Sequence, residues 1–457
     1  MKRIAIVGAG ISGLTAAYCL GRAGQSYHLY EASARAGGIL QTHSQRGFLL
    51  ELGADSFLSE KSWARDFCRE LGLESQLIGS NDSIRQTFVL INGKLMPLPG
   101  GLQFIVPVSP AAQNSGFFSD ETRRCFASER GLQPRTSNDD ESVSSFIERH
   151  FGGEVVARLA APMLAGVYGG TPATLSAHAV LPRFVDLERS HGSLLRAFEN
   201  RPAPAATQPI FITLRLGMQQ LADTLINCLS PDSLHLSTRI EAISRQDRCW
   251  HLRAANRKPE AFDALLLALP AHAAGALMQG PVPTLADKLA GIRYTSSLAV
   301  SLAYEGDAGA KALARIPSGF GFLVPRGENV RMMACTFVHN KFPHRVPAGS
   351  ALLRAFFGGS ADESVLALAD NELLLLAQTE LHSILGLNAS PAFTHIQRWP
   401  HSMPQYEVGH LGLVKEIETL TRESPGLFLA GNAYHGVGVP DCIRSGRQAA
   451  EAACKKT

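Results

Sequence analysis

The order of apolar and polar residues at the start of the chain predicts a strand, a helix and a second strand. Residues 2–7 form a short, apolar, β-branched run followed by a turn signal, which is the pattern of a buried strand. Apolar residues then recur at helical spacing over residues 14–24. Residues 27–30 form a second apolar run that ends on Glu31. The chain therefore begins with a predicted β-α-β unit.

Similar patterns predict the later elements. Strands are predicted at 48–53, 234–243, 249–254, 264–269, 296–304, 321–324, 331–336, 352–357 and 426–431, and helices at 62–71, 142–158, 181–198, 372–385 and 443–454. Residues 211–229 predict a strand followed by a helix, and residues 87–98 alternate as a hairpin with Asn92-Gly93 at its turn.

Two segments do not follow these patterns. Residues 109–140 are polar and rich in Ser, Arg and Asp, which fits either an exposed helical excursion or a partly mobile segment. Residues 201–206 read Arg-Pro-Ala-Pro-Ala-Ala and predict a linker. The mixture of strands and helices predicts an α/β fold class, α+β overall.

The composition is that of a globular protein of two or three domains. The chain has 457 residues, 18% of them charged, and a net charge of +3, so the sequence does not favour nucleic-acid binding. The eight cysteines are scattered without a CxxC pair, which predicts reduced thiols in the cytoplasm and no zinc site. Asp263, Pro270 and His272 interrupt the apolar stretch 262–278, so no transmembrane helix is predicted. Peripheral membrane contact through residues 102–108 stays open.

The turn between the first strand and the first helix reads GAGISG at residues 8–13, and Glu31 follows 18 residues after Gly13. This is the dinucleotide-binding fingerprint in its required context. Gly8 allows the tight turn, Gly10 lets the backbone approach a pyrophosphate, and Gly13 lets the helix pack closely on the strand. The helix N-terminus presents free N–H groups to the phosphates, and Glu31 is placed to accept the ribose hydroxyls.

A second glycine pair follows in the sequence EASARAGG at residues 31–38. In flavoproteins similar to glutathione reductase and the amine oxidases, this motif brings the chain close to the diphosphate and isoalloxazine, so the predicted cofactor is FAD rather than NAD. The chain has no second GxGxxG with a following acid, which predicts that the substrate reduces the flavin and an acceptor such as O2 reoxidises it. The predicted cofactor-binding residues of this unit are Gly8, Gly10, Ile11, Ser12, Gly13, Glu31, Ala32, Arg35, Gly37 and Gly38.

Five further stretches resemble the oxygen-dependent protoporphyrinogen and coproporphyrinogen oxidase family. They are AGVYGG at 165–170, GFGFLVP at 319–325, FPHR at 342–345, RWPHSMPQYEVGH at 398–410 and LAGNAYHGVGVPDCIRSG at 429–446. Together with the fingerprint, the resemblance spans nearly the whole chain. It implies a monoamine-oxidase-like fold, with a Rossmann-like FAD-binding domain, a mixed-sheet substrate domain and a helical insertion. The implied boundaries are 1–78, 213–292 and 399–457 for the first, 79–100, 196–212 and 293–398 for the second, and 101–195 for the third.

The resemblance also implies the chemistry. FAD would be bound without a covalent link and would accept hydride at N5 from a porphyrinogen, whose six-electron oxidation uses O2 and gives H2O2 and a porphyrin of haem biosynthesis. The protein would mainly position the ring and exclude water. No catalytic side chain and no metal are implied. A homodimer, or handover to the next haem-pathway enzyme, stays open.

Several residues can be carried over from the family. Those implied to bind substrate are Gly166, Leu323 and Phe356, and those implied to bind FAD, besides the fingerprint, are Ile240, Gly431, Val439 and Pro440. Plant and mammalian members have an arginine that pairs with a substrate propionate where this chain has Thr87, so Arg85, Arg183 and Arg345 are other candidates. The sequence Val-Pro-Asp-Cys at 439–442 favours the coproporphyrinogen branch.

The same residues also fit less specific roles. By periodicity alone Leu323 and Phe356 fit core positions, His410 and His435 fit structural histidines, and Asp441 fits a helix cap. Two other functions also fit this fold. One is an amine oxidase or desaturase, and the other is a carrier of lipidated proteins that has lost its flavin.

Overall fold

The computed structural model describes residues 2–199, 208–255 and 257–455, and these form two compact units. Unit 1 comprises Met1–Ser80, Gln208–Arg293 and Leu411–Thr457, and unit 2 comprises Asn81–Thr207 and Tyr294–His410. The predicted linker at 201–206 lies outside the described residues. The division into three domains stays a prediction.

The strands are numbered in chain order. They are β1 (Arg3–Val7), β2 (Ser26–Tyr30), β3 (Thr42–Gln45), β4 (Phe48–Glu51), β5 (Phe57–Leu58), β6 (Leu77–Gly79), β7 (Thr87–Ile91), β8 (Lys94–Pro97), β9 (Leu102–Gln103), β10 (Val106–Pro107), β11 (Phe211–Leu214), β12 (Leu234–His235), β13 (Ile240–Gln246), β14 (Cys249–Ala254), β15 (Glu260–Phe262), β16 (Ala264–Leu267), β17 (Tyr294–Tyr304), β18 (Gly321–Leu323), β19 (Ala334–Phe337), β20 (Ala351–Gly358), β21 (Phe393–Pro404) and β22 (Leu427–Leu429).

The α-helices are numbered in the same way. They are α1 (Ile11–Arg22), α2 (Ser62–Glu70), α3 (Pro110–Gln113), α4 (Asp120–Glu129), α5 (Val143–Phe151), α6 (Gly153–Val155), α7 (Ala161–Tyr168), α8 (Ala177–Val180), α9 (Pro182–His191), α10 (Leu194–Glu199), α11 (Gln219–Asn227), α12 (Ala271–Met278), α13 (Pro283–Ala290), α14 (Gly306–Leu313), α15 (Val338–Lys341), α16 (Asp370–Leu385), α17 (His410–Arg422) and α18 (Val439–Lys455).

Unit 1 is built on a parallel sheet with the strand order β12-β2-β1-β16-β22. β1 is its centre, since Ile4 pairs with Tyr27 of β2 on one side and with Ala264 of β16 on the other. Strands buried on both faces read as continuous apolar runs, which is why the opening strand was visible in the sequence. Because parallel strands point the same way, the segments that follow β1, β16 and β22 meet at the carboxyl ends of the strands.

Unit 2 is built on a mixed sheet with the strand order β21-β17-β20-β19-β18-β7-β8. The hairpin β7–β8 turns at Asn92-Gly93 as predicted, and both residues have positive φ, 51° and 71°. One face of the sheet packs on α16, where Leu373 and Leu381 share an apolar cluster with Val300 of β17. The predicted fold class, α/β and α+β overall with a Rossmann-like part and a mixed sheet, is confirmed.

Strand β21 was not predicted from the sequence. Pro400 lies inside it, and a proline removes a hydrogen-bond donor from a sheet. β21 tolerates this residue because it is the edge strand and pairs only with β17. The pairing shifts register between Thr295 and Ser297, opposite His401, whose φ of 45° marks an irregularity in the strand.

Two helices that were predicted as continuous are interrupted at glycines with positive φ. Within the predicted helix 142–158, α5 ends just before Gly152 (φ 83°). The chain then continues as α6 and a π-helical turn, Val156–Ala160. The predicted helix 181–198 divides at Gly192 (φ 73°) into α9 and α10. Periodicity alone cannot detect these breaks, because the apolar spacing resumes almost in phase on either side.

The polar segment 109–140 contributes to the core of unit 2. Phe117, Phe118 and Phe126 are buried there, and the buried Glu129 carboxylate accepts hydrogen bonds from Leu194 N at 2.6 Å and from Ser193 Oγ. The imidazole of His150 lies 2.9 Å from the same carboxylate. Burial opposes the charged imidazole, but the hydrogen bonds to Glu129 and Glu188 raise the pKa of His150. The predicted helical character of this segment is present in α3 and α4, but a buried ionic network and buried aromatic residues tie it to the core.

Among the described residues, no helix combines the length and the apolar character needed to cross a bilayer.

Candidate functional site: a dinucleotide crevice and a substrate sheet

The glycine turn after β1 is as tight as the fingerprint requires. A Cβ built on Gly13 would lie 1.9 Å from the carbonyl oxygen of Gly8, and one built on Gly8 would lie 2.5 Å from the carbonyl oxygen of Ala268. Gly8 also has a φ of +100°, which disfavours any other residue. These two glycines therefore let β1, α1 and the segment after β16 approach one another closely.

Gly10 differs from its neighbours because a Cβ built there would meet no atom within 4 Å. The fold itself therefore does not require a glycine at this position. Gly10 precedes α1, and no side chain caps this helix end, whose buried first residues are Ile11 and Ser12. The open space beside uncapped N–H groups fits an anionic ligand that approaches the backbone.

The second glycine pair lies against the first turn. Gly37 N donates to Ala9 O at 2.7 Å, and a Cβ on Gly38 would lie 3.1 Å from the Cα of Gly10. Arg35 donates to the carbonyl oxygens of Ala36, Gly38 and Leu40. Burial lowers the pKa of Arg35. Its guanidinium therefore holds the shape of this loop.

Glu31 is fixed at the end of β2. One carboxylate oxygen accepts from Ala9 N at 2.9 Å, and the other accepts from the backbone N and the hydroxyl of Ser33 at 2.9 and 2.8 Å. Ala32 beside it is exposed. Thr238 N donates to Glu31 O at 2.8 Å, so the segment that enters β13 at Ile240 also reaches this end of β2.

The N-terminus of α18 meets that of α1 at the carboxyl ends of the parallel strands. Ser12 Oγ donates to Cys442 O at 3.0 Å, and a Cβ on Gly446 would lie 2.2 Å from Ser12 O. Gly431 follows β22 with a φ of +135°, and its N–H donates to Ser445 Oγ at 3.1 Å. The buried Val439 and Pro440 begin α18. Unit 1 thus brings together the two sequence regions that were predicted to hold the cofactor.

Two of the predicted substrate residues, Leu323 and Phe356, share one face of the sheet of unit 2, whereas Gly166 lies in α7. Leu323 pairs with Ala334, and Ala334 pairs with Phe356, so these three residues form a row across β18, β19 and β20. Directly opposed residues of an antiparallel pair point to the same face. Their neighbours Phe322 and Cys335 belong to the apolar cluster against α16, so the row faces the other way.

This row has the profile of a slot. Strands lie about 4.8 Å apart, so the half-buried Leu323 and Phe356 stand about 10 Å from each other at the Cα level. Ala334, which is 9% exposed, is the floor between them. The guanidinium of Arg354 lies over the ring of Phe356, 4.8 Å from the ring centroid, and packs against that face of the ring.

Unit 2 also contains a cavity of about 280 Å³ beside the C-terminal end of β18. Its lining combines α7, represented by Pro162 and Ala165, with Val324, Met332 and Arg326 of the loop that joins β18 to β19. Gly166, Leu323 and Phe356 are not among its lining residues, although the cavity walls include the sequence neighbours of the first two.

The charged residues of that cavity differ in their partners. Arg331 is paired with Asp362 at 2.6 Å, and Glu328 accepts from the backbone N–H groups of Asn92 and Gly93. The exposed guanidinium of Arg326 has no hydrogen bond or ion pair within the part of the chain that the structure describes. Arg326 is therefore the cation of this cavity that is available to a ligand.

Nearly the whole chain matches one known protein family. The family model of the flavin-containing amine oxidoreductases matches residues 11–454. The chain belongs to this family. The predicted cofactor, FAD, is confirmed. The glycine turn after β1 fits this cofactor, because it is tight where the fold needs close packing and open beside Gly10.

Individual relatives indicate which kind of flavin-containing oxidoreductase this chain resembles. It is 33% identical to a coproporphyrinogen III oxidase of Bacillus subtilis, over 98% of this chain and 97% of the relative. It is 28% identical to the chloroplastic protoporphyrinogen oxidase of Nicotiana tabacum, over 97% and 84%. A crystal structure from Exiguobacterium, assigned as a protoporphyrinogen oxidase, matches with a TM-score of 0.88 at 29% identity, covering 99% and 98% of the two chains. The resemblance to the porphyrinogen oxidases is confirmed.

The other arginines considered for substrate carboxylates have partners in this oxidoreductase. Arg85 lies 3.9 Å from Asp82, the guanidinium of Arg183 lies over the ring of Phe198, and Arg345 is 1% exposed. Thr87 pairs with Gly321, which lies two residues before Leu323 in β18. The propionate partner therefore stays a prediction.

The histidines and Cys442 have structural surroundings. His410 is buried and stacked on Tyr406, with ring centroids 4.0 Å apart, and His435 Nε2 lies 2.7 Å from Glu418 Oε1. Burial raises the pKa of the Cys442 thiol to about 12. The described residues contain no cluster of three or more side chains suited to a metal ion.

Sequence reasoning missed three features of these sites. They are the floor residue Ala334, the cavity residue Arg326, and an ion pair between Lys61 and Asp441. For Asp441 the sequence also fitted a helix cap, and the structure places this residue in the first turn of α18. Alternation along β19 could have placed Ala334 on the face of Leu323, whereas a partner 380 residues away leaves no local signal.

Proposed function

We propose that this protein is an FAD-dependent porphyrinogen oxidase of haem biosynthesis and that coproporphyrinogen III is its preferred substrate. The observation that carries the proposal is the 33% identity to a coproporphyrinogen III oxidase along 98% of the chain. The slot between Leu323 and Phe356 supports it, because its apolar walls suit one pyrrole ring of a flat macrocycle.

Each group of residues has a role in this proposal. Glu31 and the two N-termini of α1 and α18 hold the ribose, the pyrophosphate and the flavin ring, with backbone N–H groups directed at negative charge. Bound FAD supplies the acceptor for hydride and returns its electrons to O2. The slot holds the porphyrinogen and excludes water from the reacting carbon.

In this proposal, the substituents at the edge of the macrocycle determine which porphyrinogen is preferred. Coproporphyrinogen III carries a carboxylate on every pyrrole ring, whereas protoporphyrinogen IX has two apolar vinyl groups instead. Arg326 on the cavity beside the slot supplies a cation for one of the additional carboxylates. A cavity of about 280 Å³ takes the edge of such a macrocycle, and the rest lies in the slot.

The proposal requires neither a bilayer nor a partner protein. Ile105 and Val106, in the segment that the sequence offered for membrane contact, are fully buried. The eight cysteines are free, which supports a reducing compartment such as the cytoplasm.

Steady-state kinetics on the two porphyrinogens test the proposal. We expect the purified holoprotein to produce porphyrin fluorescence from both, with kcat/KM at least about tenfold higher for coproporphyrinogen III, since one charge-assisted contact contributes about 1.5 kcal/mol or more. Arg326→Gln should raise KM for coproporphyrinogen III more than for protoporphyrinogen IX, and Arg326→Lys should restore part of the difference.

The exposed Arg124 gives the matched control, because Arg124→Gln removes a cation outside the cavity and should leave both KM values unchanged. If neither porphyrinogen gains fluorescence faster than without enzyme, the proposed function is wrong. Release of H2O2 from simple amines under those conditions would instead favour an amine oxidase.

A further inference from the structure

Unit 1 contains a buried carboxylate for which the proposed reaction has no use. Asp441 lies in the first turn of α18 and is 4% exposed. Its Oδ2 is 2.6 Å from Lys61 Nζ, and its Oδ1 is 3.5 Å from a guanidinium nitrogen of Arg444. A charged group in this position is costly unless it is paired, so Lys61 is a required partner.

The carboxylate also shapes the loop that leads into α18. A Cβ on Gly436 would lie 2.3 Å from Asp441 Cγ, and a Cβ on Gly438 would lie 3.1 Å from Oδ2. Gly436 has a φ of +134°. The loop thus closes over Asp441 and holds its charge beside the start of the helix.

This location has an electrostatic consequence. The N-terminus of a 17-residue helix such as α18 carries a partial positive charge, which stabilises a nearby negative charge. An unpaired carboxylate in the first turn would offset that effect. Lys61, at the N-cap of α2, neutralises the carboxylate and so preserves the positive character of the helix end.

We propose that the Lys61–Asp441 pair sets the electron affinity of the flavin at the N-terminus of α18. Hydride from the substrate brings one proton and two electrons, so the bound flavin gains one negative charge as it is reduced. The helix end stabilises this charge, and the two side chains adjust how strongly it does so. The inference rests on the proposed cofactor site and adds two positioning residues that do not contact the substrate.

Other charged residues lie near the pair on α2 and α18. Arg444 of α18 lies over the ring of Trp63 at 4.1 Å, and Arg447, one turn later, pairs with Glu70 of α2 at 2.5 Å. Neither substitution changes the charges of Arg444 and Arg447, although Asp441→Asn also removes the 3.5 Å ion pair with Arg444. The two substitutions therefore change the local charge by one unit in opposite directions.

The midpoint potential of the holoprotein, measured against reference dyes, tests the proposal. Two unit charges about 10 Å apart at an effective dielectric constant of about 20 change an equilibrium constant roughly tenfold. We expect Lys61→Met to make reduction about tenfold less favourable and Asp441→Asn to make it about tenfold more favourable, a shift of about 30 mV each way for a two-electron couple. The double variant should return near the wild-type value.

A purely structural role would not give opposite signs. Glu70→Gln, which breaks the neighbouring pair on α2 and α18, is the matched control and should leave the potential unchanged. If both single variants shift the potential in the same direction, or neither shifts it, the charge-pair proposal is overturned. A wild-type protein without FAD would instead overturn the cofactor site itself.

Discussion

We expect Gly10→Val to yield a folded protein that no longer retains FAD. A Cβ at Gly10 meets no protein atom within 4 Å, so the substitution adds its methyl groups to open space beside the N-terminus of α1. That space is where the proposed pyrophosphate lies. We expect the Kd for FAD to rise at least about a hundredfold, which corresponds to about 3 kcal/mol, with a thermal midpoint of the apoprotein close to that of the wild type.

Two other glycines make this result specific. Gly13→Val should destabilise unit 1 as well as remove FAD, because its Cβ would lie 1.9 Å from Gly8 O. Gly412→Val, at a helix position where a Cβ also meets nothing within 4 Å, should bind FAD normally. Normal flavin content in the Gly10 variant would mean that the pyrophosphate does not approach this backbone.

Ala334→Phe should block the slot of unit 2 while leaving FAD in place. The new ring would fill the floor between Leu323 and Phe356, and Ala334 faces away from the core cluster that contains Cys335. We expect kcat/KM for the porphyrinogen to fall at least about a hundredfold, a loss of about 3 kcal/mol, with flavin absorbance retained.

The complementary variants test the same geometry. Ala334→Ser keeps the floor small and should retain most of the activity, and Phe356→Ala should raise KM by removing one wall. Kinetics of Ala334→Phe that match the wild type would show that the substrate binds elsewhere than on this face of the sheet.

The elements and residues that could be predicted from the sequence are those with local signals. The fingerprint combines a strand, a glycine turn and an acid within thirty-one residues, and the hairpin turn is written in Asn92-Gly93. Gly152 and Gly192 broke predicted helices because positive φ depends on the path of the chain after the turn. β21 was missed because whether Pro400 is tolerated depends on the strand being at the sheet edge.

The candidate sites show the same limit. Gly10 and Glu31 could be located from spacing, whereas the row of Leu323, Ala334 and Phe356 requires the strand register. The Lys61–Asp441 pair joins residues 380 positions apart, so only the packing of α18 on α2 brings it together. Charges that meet through tertiary packing therefore had to come from the structure.

In the proposed reaction, a porphyrinogen gives hydride directly to FAD held in unit 1. Mixing the holoprotein with coproporphyrinogen III in the absence of oxygen tests this most directly. We expect the yellow absorbance to disappear within the time of one turnover and to return when oxygen is admitted, as coproporphyrin fluorescence accumulates. A flavin that stays yellow in the presence of both porphyrinogens would contradict it.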